Sequence, residues 1–171
     1  MTAWTRTIGC SVAAVAFAGC ASAQARQELP IWMIERRPPA GVTLRPQVTG
    51  PHAIVRFNKP AFDALMAGAD LDTNPATKGV VLTLPLPDGT FERFLMKESP
   101  TIDPALSKAF PEIRTYSGQG LDDGSITARI GWTSAGFHAL ILAGERGSIY
   151  IDPYGANTLD IYVSYRKGGD L

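Results

Sequence analysis

The feature that most restricts the fold is a series of short apolar runs cut at close intervals by glycine and proline. ITARIGW (126–132), GFHALILA (136–143), GSIYIDPY (147–154) and LDIYVSY (159–165) follow one another with turns such as TSAG and AGERG between them. Runs of this length, bounded by turn residues, are strand candidates. Upstream, HAIVRFN (52–58) alternates as a strand. GVVLTLPLPDGTFERFLMKES (79–99) predicts a hairpin, because Pro-Asp-Gly presets one φ and accepts a positive one. Phe91, Phe94 and Met96 do not alternate evenly in its second arm, so a bulge near Arg93 is one expectation. IRTYSGQG (113–120) reads as a further strand into a glycine-rich turn.

Two short helices fit between these strands. KPAFDALMAGAD (59–70) places Pro60 in a first turn and Phe62, Leu65 and Met66 on one face, with Gly68 to end it. Asp103 and Pro104 form a cap and first helical position for a second, stopped by Pro111. The whole predicts a mainly β chain of about eight strands, an antiparallel β-sandwich-like single domain with two short helices.

The chain has 171 residues, a single-domain length. Its 16 basic and 16 acidic residues balance, and the basic ones form no stripe. Neither nucleic acid nor an anionic membrane surface is therefore an expected partner. The N-terminus predicts export. MTAWTR supplies a basic n-region, TIGCSVAAVAFAGC an apolar run too short to span a bilayer, and Ala21-Ser22-Ala23 a cleavage site. The expected organisation is a signal peptide at 1–23, a proline-rich entry segment at 24–51 and a β-rich domain at 52–171. In the entry segment, Trp32 and Ile34 are expected to pack onto that domain. FAGC also resembles a bacterial lipobox, which would lipidate Cys20 and make the membrane a partner through that anchor alone. Both cysteines, Cys10 and Cys20, lie in the signal, so the exported part is expected to hold no disulfide and no cysteine ligand.

No chemistry-bearing motif is completed. His52 and His138 lie far apart with no partner at ligand spacing, and no H-E-x-x-H is present. Asp70, Asp72 and Asn74 begin like a calcium loop, but Pro75 stands where glycine is needed and Val81 where the bidentate glutamate belongs. Ser134 near His138 is not a triad by proximity. Asp122 and Asp123 read as a solvated turn, and the Asp152-Pro153-Tyr154 run as a strand terminator. His138 alternates with Phe137, so if Phe137 faces the core, His138 faces away. Arg146 is expected to be exposed at a hairpin tip. No catalytic, cofactor-binding or metal-ligating residue is assigned, and no cofactor is expected.

One longer pattern remains. LPLPDG (84–89), the F…ESP stretch, FPEIRTYSGQG (110–120), GFHA (136–139) and YIDPY (150–154) occur in order, preceded by HAIVRFNKPAFDALMAGA (52–69). This combination resembles the N-terminal pro-region of secreted bacterial reprolysin-like zinc metallopeptidases, from about Pro30 to Arg166. The part from TYSGQG to YIDPY is more distantly similar to ADAM-type prodomains. The resemblance implies a β-rich propeptide that assists folding of a protease domain, keeps it latent, or both. Its expected partner is a reprolysin-type zinc protease domain in cis or in trans. The sequence ends at Leu171, where the resemblance would place the start of the protease domain, so no catalytic histidine or glutamate carries over and a non-catalytic chain is expected. The cysteine that animal prodomains use to occupy the zinc is absent, so inhibition would use shape and carboxylate or backbone contacts. The expected location is the periplasm or the exterior. The alternative reading is an envelope or extracellular binding module, lipid-anchored at Cys20.

Overall fold

A computed structural model describes residues 30–72, 77–100, 109–110 and 113–167. Among these, the strands in chain order are β1 (Trp32–Ile34), β2 (Val48–Phe57), β3 (Val80–Pro85), β4 (Phe91–Glu98), β5 (Arg114–Gly120), β6 (Thr127–Thr133), β7 (Gly136–Leu142), β8 (Ser148–Pro153) and β9 (Ile161–Lys167). One helix, α1 (Lys59–Met66), joins β2 to β3, and a 3-10 turn at Gly144–Arg146 joins β7 to β8. All nine strands form one sheet in the order β1-β2-β9-β8-β7-β6-β5-β4-β3, antiparallel throughout. The mainly β, antiparallel expectation is met. One sheet does the work of two faces by curving back on itself.

Alternation along each strand produces that curvature's inner surface. Val55, Leu82, Phe94, Tyr116, Ile130, Phe137, Ile149 and Tyr162, from eight different strands, all belong to one buried cluster. Near the two ends of the sheet, the Ser164 hydroxyl on β9 donates to the Pro85 carbonyl on β3 at 2.8 Å. The sheet is therefore nearly closed. Within the cluster, Trp32, Phe57, Phe62, Phe137 and Tyr162 pack with ring centroids 4.6 to 6.0 Å apart, mostly tilted or edge-on as ring quadrupoles prefer. The Tyr162 hydroxyl accepts the Phe137 amide at 3.1 Å and donates to the Leu159 carbonyl at 3.3 Å.

Helix α1 closes against this inner face. The Asn58 side chain caps it by accepting the Ala61 amide at 3.2 Å, Pro60 lies in its first turn, and Phe62 and Met66 are buried. Leu65 packs beside them, as its spacing predicts. The expected second helix, with Asp103, Pro104 and Pro111, lies outside the described residues.

Among the described residues, the outer face is covered by one apolar cluster. Tyr154, Ile161, Val163 and Tyr165 pack with Val42, Leu44, Val48, Ile54 and Tyr150, so the entry segment lies as a strap over β8, β9 and β2. The Arg45 amide fixes the strap on the Tyr154 carbonyl at 3.1 Å. The sheet thus begins at Trp32, upstream of residue 52. Trp32 is buried in the core as expected, whereas Ile34 remains 44% exposed. The hairpin is regular from Val80↔Met96 to Pro85↔Phe91, with no bulge at Arg93. The uneven spacing arises because Phe91 faces out, while Phe94 and Met96 face in. The irregular register is in β2, between Val48 and His52, where Gly50 takes a φ of 86° and Pro51 follows. No helix among the described residues is long and apolar enough to cross a membrane.

Candidate functional site

On β7, Phe137 points into the core and His138 points out, as alternation requires. The β7–β8 register pairs Ala139 with Ile151, which brings Asp152 beside His138 on the outer face. Asp152 Oδ1 lies 2.6 Å from His138 Nδ1, and the Tyr165 hydroxyl on β9 donates to Asp152 Oδ2 at 2.8 Å. Three strands thus assemble a His138–Asp152–Tyr165 network.

Its electrostatics follow from burial and hydrogen bonding. Burial alone would raise the Asp152 pKa, but hydrogen bonds from His138 and Tyr165, with the charge of Arg45, hold it below the ordinary carboxylate value. Burial, and then the bond to Asp152, push the Tyr165 hydroxyl well above its usual value. An ionised carboxylate only accepts, so both neighbours donate to it. His138 therefore spends its Nδ1–H on Asp152 and keeps Nε2 for the surface beyond.

That surface is an open cleft of about 310 Å³ lined by Thr115, Arg129, Gly131, His138, Tyr150 and Asp152, among others. The Thr115 hydroxyl donates to the Ser99 carbonyl at 2.7 Å, so the hydroxyl nearest in kind to a nucleophile is turned to the main chain. The cleft can hold and orient a ligand by hydrogen bonds.

A second concavity of about 230 Å³ lies between α1 and the inner ends of β5 and β6. Lys59 sits 4.7 Å above the Trp132 ring and 2.5 Å from Asp63, while Arg114 sits 5.5 Å above the Tyr116 ring and 2.5 Å from Glu98. Each cation already has an aromatic face and a carboxylate. This is a balanced polar frame around the end of the core.

The other residues singled out in the sequence are placed elsewhere. His52 is exposed, with Nδ1 2.9 Å from the Gly50 carbonyl, and does not join His138. Ser134 is exposed in the β6–β7 turn and does not line the cleft. Arg146 is engaged: it pairs with Asp123 at 2.9 Å, and its carbonyl accepts from Arg166. Asp122 pairs with Arg93, so both turn acids hold arginines and are not merely solvated. Asp72 pairs with Lys97 at 3.2 Å. Asn74, Pro75, Cys10 and Cys20 lie outside the described residues. Among the described residues, no three histidine, cysteine or acidic side chains converge as a metal site. Asp152 was readable only as a strand terminator, since its role depends on the register of three strands.

No protein-family model, no curated protein and no solved structure matches this chain.

Proposed function

We propose that this chain is a non-catalytic, exported domain of the propeptide type, which assists folding or holds the latency of a reprolysin-type zinc metallopeptidase domain supplied in cis or in trans. The observation that carries this reading is the outer face of the sheet. The cleft there is open, its floor is strand surface, and His138 and Asp152 in it are held by hydrogen bonds, Asp152 also by Tyr165. Such a surface suits a partner chain better than a reaction that must exclude water. Exposed apolar side chains extend the face: Val81 and Leu95 are direct neighbours across β3 and β4, and Leu142 lies further along on β7. The resemblance carried by the ordered motifs from LPLPDG to YIDPY is what supports a reprolysin-type domain as that partner.

The test is a refolding assay. A denatured reprolysin-type zinc protease domain is diluted into buffer with and without the purified chain, and recovered peptidase activity is measured. The expected result is a several-fold higher yield, with saturable slowing of hydrolysis by the native enzyme. Unchanged yield and unchanged hydrolysis at micromolar chain would overturn the proposal. So would a hydrolytic activity of the chain itself that disappears in His138→Ala.

A further inference from the structure

The cleft holds a glycine that the fold itself does not explain. Gly131 sits inside β6, where glycine weakens a strand by about 0.5–1 kcal/mol relative to alanine. Several other glycines have structural reasons. Gly136 takes a φ of 106°, and a Cβ there would lie 2.9 Å from the Tyr162 hydroxyl. A Cβ at Gly120 would collide with the Asp123 carbonyl. At Gly131 the backbone is not left-handed, and the nearest atom to an added Cβ is Thr115 Cγ2 at 3.6 Å, an ordinary contact. The fold would accept a side chain there. What such a side chain would do is fill the cleft.

The groups flanking Gly131 are of two kinds. Arg129, two residues back on the same face, is exposed, and among the described residues its guanidinium has no ion-pair or hydrogen-bond partner. His138 pairs directly with Gly131 across the β6–β7 ladder, and Asp152 holds its Nδ1–H, leaving Nε2 unused by that bond. The cationic guanidinium of Arg129 and the Nε2 of His138, an acceptor in a neutral imidazole, belong to diagonal neighbours across the β6–β7 pair, about 7–8 Å apart at Cα, with Gly131 beside His138 leaving that corner without a side chain. A free carboxylate satisfies only the first. An extended polypeptide with an acidic side chain satisfies both: its carboxylate meets the Arg129 guanidinium, and a main-chain N–H meets His138 Nε2.

We propose that the Gly131 notch is a binding site for an extended peptide segment, recognised through a glutamate or aspartate side chain on Arg129 and a backbone N–H on His138. The absent side chain at residue 131 lets the bound main chain approach the sheet. Tyr150 and Leu140, which also line the cleft, give apolar contact to its flanking residues. This site is a property of the chain's own surface and does not depend on the partner being a protease.

The test is an NMR titration of the ¹⁵N-labelled protein with a pool of acetylated, amidated pentapeptides centred on glutamate. A glutamine-centred pool and sodium acetate serve as comparisons. The expected result is saturable shifts at the amides of Arg129, Gly131, His138 and Leu140 with the glutamate pool, and several-fold weaker binding of the glutamine pool. Arg129→Gln should weaken the glutamate pool to the level of the glutamine pool. Gly131→Val should abolish binding while thermal stability is kept or raised. Equal binding of both pools, no saturable shifts, or undiminished binding by folded Arg129→Gln would overturn the proposal. Acetate alone reproducing the shifts at equal affinity would also overturn it, leaving an anion contact without a peptide.

Discussion

Phe137 and His138 are adjacent on β7, yet they serve opposite faces of one sheet that are held by different physics. The inner face, around Phe137, Phe57, Trp32 and Tyr162, is a close-packed aromatic cluster. Its stability comes from buried area and tight fit, so it tolerates no missing volume. The outer face around His138 is held by directed hydrogen bonds among His138, Asp152 and Tyr165, and it leaves an open cleft. There, a substitution changes what the surface can bind far more than whether the chain folds.

The sharpest way to break this contrast is at Phe137. Phe137→Ala should lower unfolding free energy by about 3–5 kcal/mol, measured by urea titration. A loss below about 1 kcal/mol would mean that the inner face repacks freely and is not a close-fitted core.

Alkali tests both faces together. Burial raises the hydroxyl pKa of Tyr116 and Tyr162 on the inside and of Tyr165 on the outside. In the unfolded chain these groups ionise near pH 10. Below that pH their contribution is complete. As pH rises through 10 the unfolded chain loses protons that the fold retains, so stability falls. Tyrosinate absorbance equivalent to these three of the five tyrosines should therefore rise late and in step with unfolding; complete ionisation before unfolding would place these hydroxyls in contact with water.

Asp152→Asn probes the outer network alone and should lower stability by about 1–3 kcal/mol. Its pH signature has the opposite sense. Because the Asp152 pKa is depressed in the fold, its stabilisation is complete above about pH 4 and disappears as pH falls through the depressed value. The variant should unfold less steeply in acid than the parent protein, followed by circular dichroism. Identical acid limbs would remove Asp152 from the network's energetics.

The smallest effect is expected at the notch. Gly131→Ala should shift stability by no more than about 1 kcal/mol, in the stabilising direction, since backbone and space both accept a Cβ. A marked drop in the thermal midpoint would show that the glycine is a packing requirement after all.

Much of the inner face was legible in the sequence. The turn residues at Pro87-Asp88-Gly89 predict the β3–β4 hairpin, the alternation in GFHALIL predicts that Phe137 and His138 on β7 face opposite ways, and the Phe62, Leu65 and Met66 spacing predicts α1. These signals are local, and local periodicity is what a sequence carries openly. Phe91 misled because an exposed aromatic residue looks like a core residue until its partner strand is known. The outer site was not legible for the same reason at longer range. His138, Asp152 and Tyr165 meet only once β7, β8 and β9 have taken their register, and the loops that set it give no unique value in advance. Gly131 carried the one available signal, a glycine within a strand-like run.

The order of the strands also dictates a sequence of events in time. From β3 to β9 every strand pairs with its successor in the chain, so this portion can assemble as it is made. β2 is different. Its main partner is β9, with Arg56 opposite Ile161 and Ala53 opposite Ser164, so it must remain unpaired on that side until the final strand is present. Closing that long loop is an entropic barrier that comes late, and it makes the last step of folding depend on the last segment to arrive. A chain threaded through a membrane from its N-terminus would thus complete its fold only after β9 has emerged, and until then it would carry Ile54 and Val55 without their β9 neighbours.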